Sequence, residues 1–119
     1  MIHYVCVKVS DLERAGRFYD SILNPLGWRR QEEGATTISW GLQYAHFFIT
    51  LDEVTGPGYG IVSFPAKSIP AVRAAFESGT AKGGRPEAEP GAAPAFGSGN
   101  YCCRMYDPDD YLVELVVAP

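Results

Sequence analysis

The feature that most constrains this chain is that its pattern starts again halfway along. Residues 2 to 9 (I-H-Y-V-C-V-K-V) alternate, placing Val5, Val7 and Val9 on one face and Tyr4, Cys6 and Lys8 on the other, as in a strand between two environments. A helix follows. Ser10 and Glu13 match a capping box, and Leu12, Ala15, Phe18, Tyr19 and Ile22 fall at helical spacing until Pro25 and Gly27 end the run. Three strands come next: one beginning at Trp28-Arg29-Arg30, one over Thr36 to Trp40, one over Ala45 to Leu51. After T-G-P-G-Y-G the order repeats. Ile61 to Phe64 reads as a strand, Ser68 and Pro70 open a helix with the apolar stripe Ile69, Val72, Ala75 and Phe76, and Gly79 is placed to end it. A-K-G-G-R-P then echoes N-P-L-G-W-R-R of the first half. The Gly/Pro/Ala-rich stretch 83–99 is expected to hold a short strand near Glu87 and a mobile loop, with further strands over Asn100 to Met105 and Tyr111 to Val117. The expected fold class is α+β, one domain of two tandem βαβββ modules, about residues 1–55 and 58–119, whose sheets curve into an open, barrel-like cleft.

Composition narrows the partners. Ten basic against fourteen acidic residues give a net charge of -4, so there is no footprint for nucleic acid, and Arg29-Arg30 is the only basic pair. No stretch approaches a membrane span, and the N-terminus enters an alternating run without a basic region or cleavage site, so the default expectation is a cytoplasmic protein. Cys6, Cys102 and Cys103 form an odd set with no C-x-x-C spacing, which reads as free thiols. The expected partners are a small molecule and a second copy of the chain.

The most informative residue stands near the end. The turn Asp107-Pro108-Asp109-Asp110 feeds a strand in which Leu112, Glu114 and Val116 share one face and Val113, Leu115 and Val117 the other. Glu114 is an acid among apolar neighbours, and such a group needs water, a hydrogen-bond donor or a cation. Simple exposure on a solvated face is the competing reading.

Taken together, these segments resemble the vicinal oxygen chelate superfamily, which contains glyoxalase I, bleomycin-resistance proteins and extradiol dioxygenases. The resemblance is carried by the opening strand ending at Val9 with Asp11-Leu12-Glu13 and Phe18-Tyr19, by Leu26-Gly27, and by the closing D-P-D-x-Y-x-x-E-L of Asp107 to Leu115. It implies paired βαβββ modules, a cleft usually completed in a homodimer, and in many members a divalent metal on the cleft floor. The ligand positions it implies fall on Tyr4, on Ile61 after Tyr59-Gly60, on one of Phe48, Ile49 or Thr50, and on Glu114. Only Glu114 is a matching ligand, whereas a zinc, iron or nickel site needs three or more protein donors, so no metal or other cofactor is expected. A divalent metal stays open only if His3 or His46 reaches the cleft through a bulge.

On that reading Glu114 lies on the cleft floor, where desolvation disfavours its charged form and the Tyr4 hydroxyl or Arg104 would hold it, the setting of a general base. Tyr4 could equally be an ordinary edge-strand aromatic. Cys6 shares the Tyr4 face; Trp40, Phe48, Thr50 and Tyr101 are candidate cleft lining, and Arg104 could pair with Glu114 or hold a ligand carboxylate. Two functions follow: a small-molecule binder of the bleomycin-resistance type without the full metal site, or a metal-dependent lyase or dioxygenase.

Overall fold

A computed structural model describes residues 2–92 and 101–117. Its element order is β1 (Val5–Val9), α1 (Leu12–Leu23), a 3-10 turn (Asn24–Leu26), β2 (Arg29–Glu33), β3 (Thr37–Gly41) and β4 (Phe47–Leu51). The second half continues with β5 (Ile61–Ala66), α2 (Ile69–Ala81), β6 (Arg85–Gly91), β7 (Tyr101–Tyr106) and β8 (Leu112–Val117). This is the βαβββ unit twice. The strand expected near Glu87 is β6; the loop expected to follow it lies mostly at 93–100, outside the described residues.

Each module makes its own four-stranded mixed sheet, ordered β1-β4-β3-β2 and β5-β8-β7-β6. In both, the first and last strands run parallel and the others antiparallel. The repeat extends to the irregularities. The outermost strand of each sheet slips register at corresponding places, between Arg30 and Glu32 in β2 and between Pro86 and Ala88 in β6, and β6 slips a second time between Ala88 and Gly91. Such bulges turn a side chain away from the regular alternation.

Both helices lie on the side where the sheets are most apolar. Val7 and Val9 of β1, Phe47 and Ile49 of β4, Phe64 and Ala66 of β5, and Val113 and Leu115 of β8 join Phe18, Tyr19, Ile22 and Val72 of the helices in one continuous core. Phe47 of the first sheet and Phe64 of the second touch edge to face at 5.1 Å. The helix-covered faces of the two sheets therefore share a core, and their other faces turn outward. Each fully buried side chain of this size contributes about 1.5–3 kcal/mol by leaving water.

The helix ends depart from expectation in two places. The cap of α1 is Asp11, whose carboxylate accepts from Arg14 N at 2.9 Å. Ser10 is used elsewhere: its hydroxyl and backbone N–H both donate to Asp109, at 2.6 and 3.0 Å, while Glu13 pairs with Arg17. Gly79 does not end α2. The helix runs on to Ala81, and the turn is made by Gly83 at φ +102°. Gly79 is instead the contact point between the helices, because a Cβ there would stand 2.6 Å from Ile22 Cγ2 and 2.7 Å from Met105 Sδ.

The acidic turn after β7 locks the two modules together. Asp107 is 2% exposed, receives the Tyr19 hydroxyl of α1 on one oxygen, and receives Asp109 N and Tyr111 N on the other at 2.8 and 2.9 Å. Asp109 then reaches Ser10. Residues at opposite ends of the sequence thus fix the start of α1 to the entry of β8.

Candidate functional site

The outward face of each sheet carries one row of side chains across all four strands. In the second module, Ser63 of β5 stands level with Glu114 of β8, which stands level with Arg104 of β7, and the bulge in β6 brings Glu87 to Arg104. The corresponding row in the first module is Cys6 of β1, Phe48 of β4, Ser39 of β3 and, at the bulge in β2, Gln31. One row is hydroxyl, carboxylate, guanidinium, carboxylate. The other carries a charge only at its edge, on Glu32, which stands opposite Ser39 beside the bulge.

Glu114 is 4% exposed. Strand alternation places it on the outward face, which it shares with Leu112 and Val116. Among the described residues its one hydrogen-bond donor is the Ser63 hydroxyl, which reaches Oε1 at 2.7 Å. Hydrogen bonds to a charged acceptor are worth about 1.5–3 kcal/mol, which offsets part of the cost of burying a carboxylate. Arg104 lies on the expected face but not on the expected partner. Its Nε stands 2.9 Å from Glu87 Oε2, off the line of the N–H, so the contact is an ion pair and not a directed hydrogen bond. The reason is the bulge, which swings Glu87 towards it.

Tyr4 and Glu114 do not meet. Tyr4 precedes β1 on the outward side of the first module, 54% exposed, with its ring edge-on to Phe48 at 5.2 Å and to His3 at 5.8 Å. Cys6 and Thr50 share that face; the Thr50 hydroxyl lies 3.4 Å from that of Thr37. Trp40 and Tyr101 fall on the opposite faces of their strands. Trp40 is fully buried, donates Nε1–H to Asp20 at 2.9 Å and packs on Tyr19 and Phe47, so it cannot wall the outward cleft. Tyr101 packs against the core and accepts Arg73 Nε–H at 2.9 Å. His46 points its ring at the backbone oxygen of His3 at 3.3 Å, and both histidines are exposed.

The thiols are not set up as nucleophiles. Desolvation pushes the Cys6 and Cys102 thiols upward, with the Glu114 charge adding to the second, and burial holds Cys103 up at about 12. Among the described residues no three His, Cys, Asp or Glu side chains come together in a metal-binding group. The repeat settles which residue of the fourth strand corresponds to Glu114: Phe48 pairs with Cys6 as Glu114 pairs with Ser63, while Ile49 is in the core.

Sequence reasoning missed Ser63, Glu87 and Ser39. The signal for the first was available in the repeat, since Ser63 stands to its helix cap Ser68 as Cys6 stands to Asp11. A depression of about 540 Å³ also lies between the linker and the second sheet, lined by Lys8, Glu53, Thr55, Tyr59 and Tyr111. It includes none of the expected site residues.

No protein-family model matches the sequence. Over 97% of both chains it is 30% identical to YqjT of Bacillus subtilis (strain 168), an uncharacterized protein. The fold superposes with a TM-score of 0.81 on a glyoxalase/bleomycin resistance protein from Albidiferax ferrireducens T118, at 27% identity over 98% of this chain and 97% of that one. The chain belongs to the glyoxalase/bleomycin-resistance/dioxygenase family, within the vicinal oxygen chelate superfamily. A glyoxalase-related enzyme from Fulvimarina pelagi shares the fold at a TM-score of 0.77 and 21% identity, over 100% of this chain and 88% of that one. Against the metal that many glyoxalase-family folds carry, the four corresponding positions here are Tyr4, Phe48, Ile61 and Glu114. One carboxylate, one phenol and two hydrocarbons do not make a donor set for a divalent ion.

Proposed function

We propose that this glyoxalase-family protein binds a small organic molecule in a cleft centred on Glu114, without a catalytic metal, and that the cleft is completed by a second copy of the chain. The observation that carries the reading is the Glu114 row. A carboxylate 4% exposed, held among the described residues by one hydroxyl and facing outward from the fold, is costly unless something on that side compensates it. Structural carboxylates are normally surrounded by donors, as Asp107 is here by three.

The second copy is inferred from the way the modules pack. Because their helix-covered faces share one core, the Tyr4–Phe48 face and the Glu114 face point away from each other in one chain. A two-fold dimer that sets the first module of each copy against the second module of the other brings them together twice, in two equivalent clefts. The Tyr4 hydroxyl would then meet Glu114 across the interface. The exposed Ile2, Tyr4 and Tyr44 give that contact an apolar share.

Elemental analysis and light scattering on purified protein test both parts. The expected result is a dimer with well under one divalent metal per chain. A stoichiometric metal would bring back the metal-dependent lyase or dioxygenase reading and overturn this one. Glu114→Gln keeps an acceptor for Ser63 while removing the charge; unchanged ligand binding in that variant would show that the cleft is not centred on Glu114.

A further inference from the structure

The charges on the outward faces say which ligand the cleft takes. Four strand cations stand on those faces, and three of them face a carboxylate: Lys8 with Asp52 at 3.5 Å, Arg85 with Asp110 at 3.1 Å, and Arg104 with Glu87 at 2.9 Å; the fourth, Arg29 at the outer edge of the first sheet, donates to the backbone oxygens of Asn24 and Trp28. Glu114 is the buried carboxylate on those faces, 4% exposed, and among the described residues its partner is a neutral hydroxyl and not a cation. On the first module, the two positions that correspond to metal ligands elsewhere in the fold hold an aromatic pair, Tyr4 and Phe48, edge to face at 5.2 Å and with Tyr4 54% exposed. A partly exposed aromatic pair and a buried carboxylate with no cation partner among the described residues share one preference: both attract a weakly hydrated cation, the first through ring quadrupoles and the second through charge.

We infer that the cleft is specific for small organic cations, ammonium compounds with an apolar or aromatic body. This rests on the dimeric cleft proposed above. The ammonium group sits against Glu114, where it supplies the missing counter-charge, and the body lies on Tyr4 and Phe48 of the other copy. An anionic ligand would have to approach Glu114 while Arg104 is engaged by Glu87. A neutral one would cover Glu114 and bring hydroxyl or amide donors but no counter-charge.

Three probes of one shape separate these cases: benzylammonium, benzyl alcohol and benzoate, measured by titration calorimetry on the intact protein with its mass followed by light scattering. The expected order is benzylammonium at least about tenfold tighter than benzyl alcohol, with benzoate weakest, a tenfold ratio being the scale of one well-placed charge contact. Glu114→Gln should erase the preference while the dimer persists, and Phe48→Leu should weaken benzylammonium several-fold without changing the order. Equal binding of all three, or a preference for benzoate, overturns the cation assignment and leaves the cleft standing. No binding of any probe to a dimer, or a monomer in solution, overturns the cleft and the assignment with it.

Discussion

At the residue scale, Ser63 is what makes a buried Glu114 tolerable. Ser63→Ala removes its one donor among the described residues and should lower the unfolding free energy by about 1–3 kcal/mol in urea titrations. A change within experimental error would mean that Glu114 has another partner. Asp107 supplies a pH signature. Burial, ahead of all other influences, holds its carboxyl above the ordinary value of 3.8, and the bonds from Tyr19 and the backbone only partly counter it. The folded state therefore binds the proton more tightly than the unfolded chain. That contribution is complete below 3.8 and is lost as pH rises through the folded value. Compared with Asp107→Asn, whose amide oxygen can keep the two backbone donors and whose NH2 can donate to the Tyr19 oxygen, the wild type should lose relative stability as pH is raised from about 4 towards neutrality. A relative gain over that range would contradict the assignment. Glu114 was legible as a singular residue because one acid in an apolar strand stands out. Its partner was not, because Ser63 lies on a strand 51 residues away and only the pairing of β5 with β8 brings them level. Trp40 and Tyr101 show how far a single step of alternation matters, since each faces the core and not the cleft.

At the element scale, the two helices were readable from apolar spacing and Pro/Gly punctuation, and their ends were only partly so. A Ser followed three residues later by Glu is a sound capping signal, but Asp11 is an equally good cap, and Ser10 is drawn off by Asp109, a residue no local window contains. Asp11→Ala should cost about 1 kcal/mol, the ordinary worth of a cap, seen as a lower thermal midpoint; no shift would contradict that role. Gly79 looked like a stop signal and is a contact surface. Gly79→Ala places a methyl against Ile22 and Met105 and should destabilise by about 1–3 kcal/mol despite alanine's better helix propensity. A stabilised variant would show that the helices have room to separate. The bulges in β2 and β6 carry no sequence signature of their own, so the Arg104–Glu87 pair could not have been read in advance.

At the scale of the whole molecule, the restart of the pattern at Ile61 was enough to read two βαβββ modules, and the family resemblance agrees with the fold in hand. How the modules are joined was not readable. Apolar periodicity says that each sheet buries one face, not that both bury it in the same core, and that packing is what turns Tyr4 and Glu114 away from each other within one chain. The central claim is that one cleft takes its aromatic wall from one copy and its carboxylate from the other. Mixing two defective proteins tests it most directly. Glu114→Gln and a Tyr4→Ala/Phe48→Ala double variant, each unable to bind benzylammonium tightly, are unfolded together, refolded and titrated. The account predicts recovery of tight sites, because each mixed dimer has one cleft carrying both defects and one carrying neither. If every cleft is built within one chain, no mixture restores a site, and that result would contradict the account.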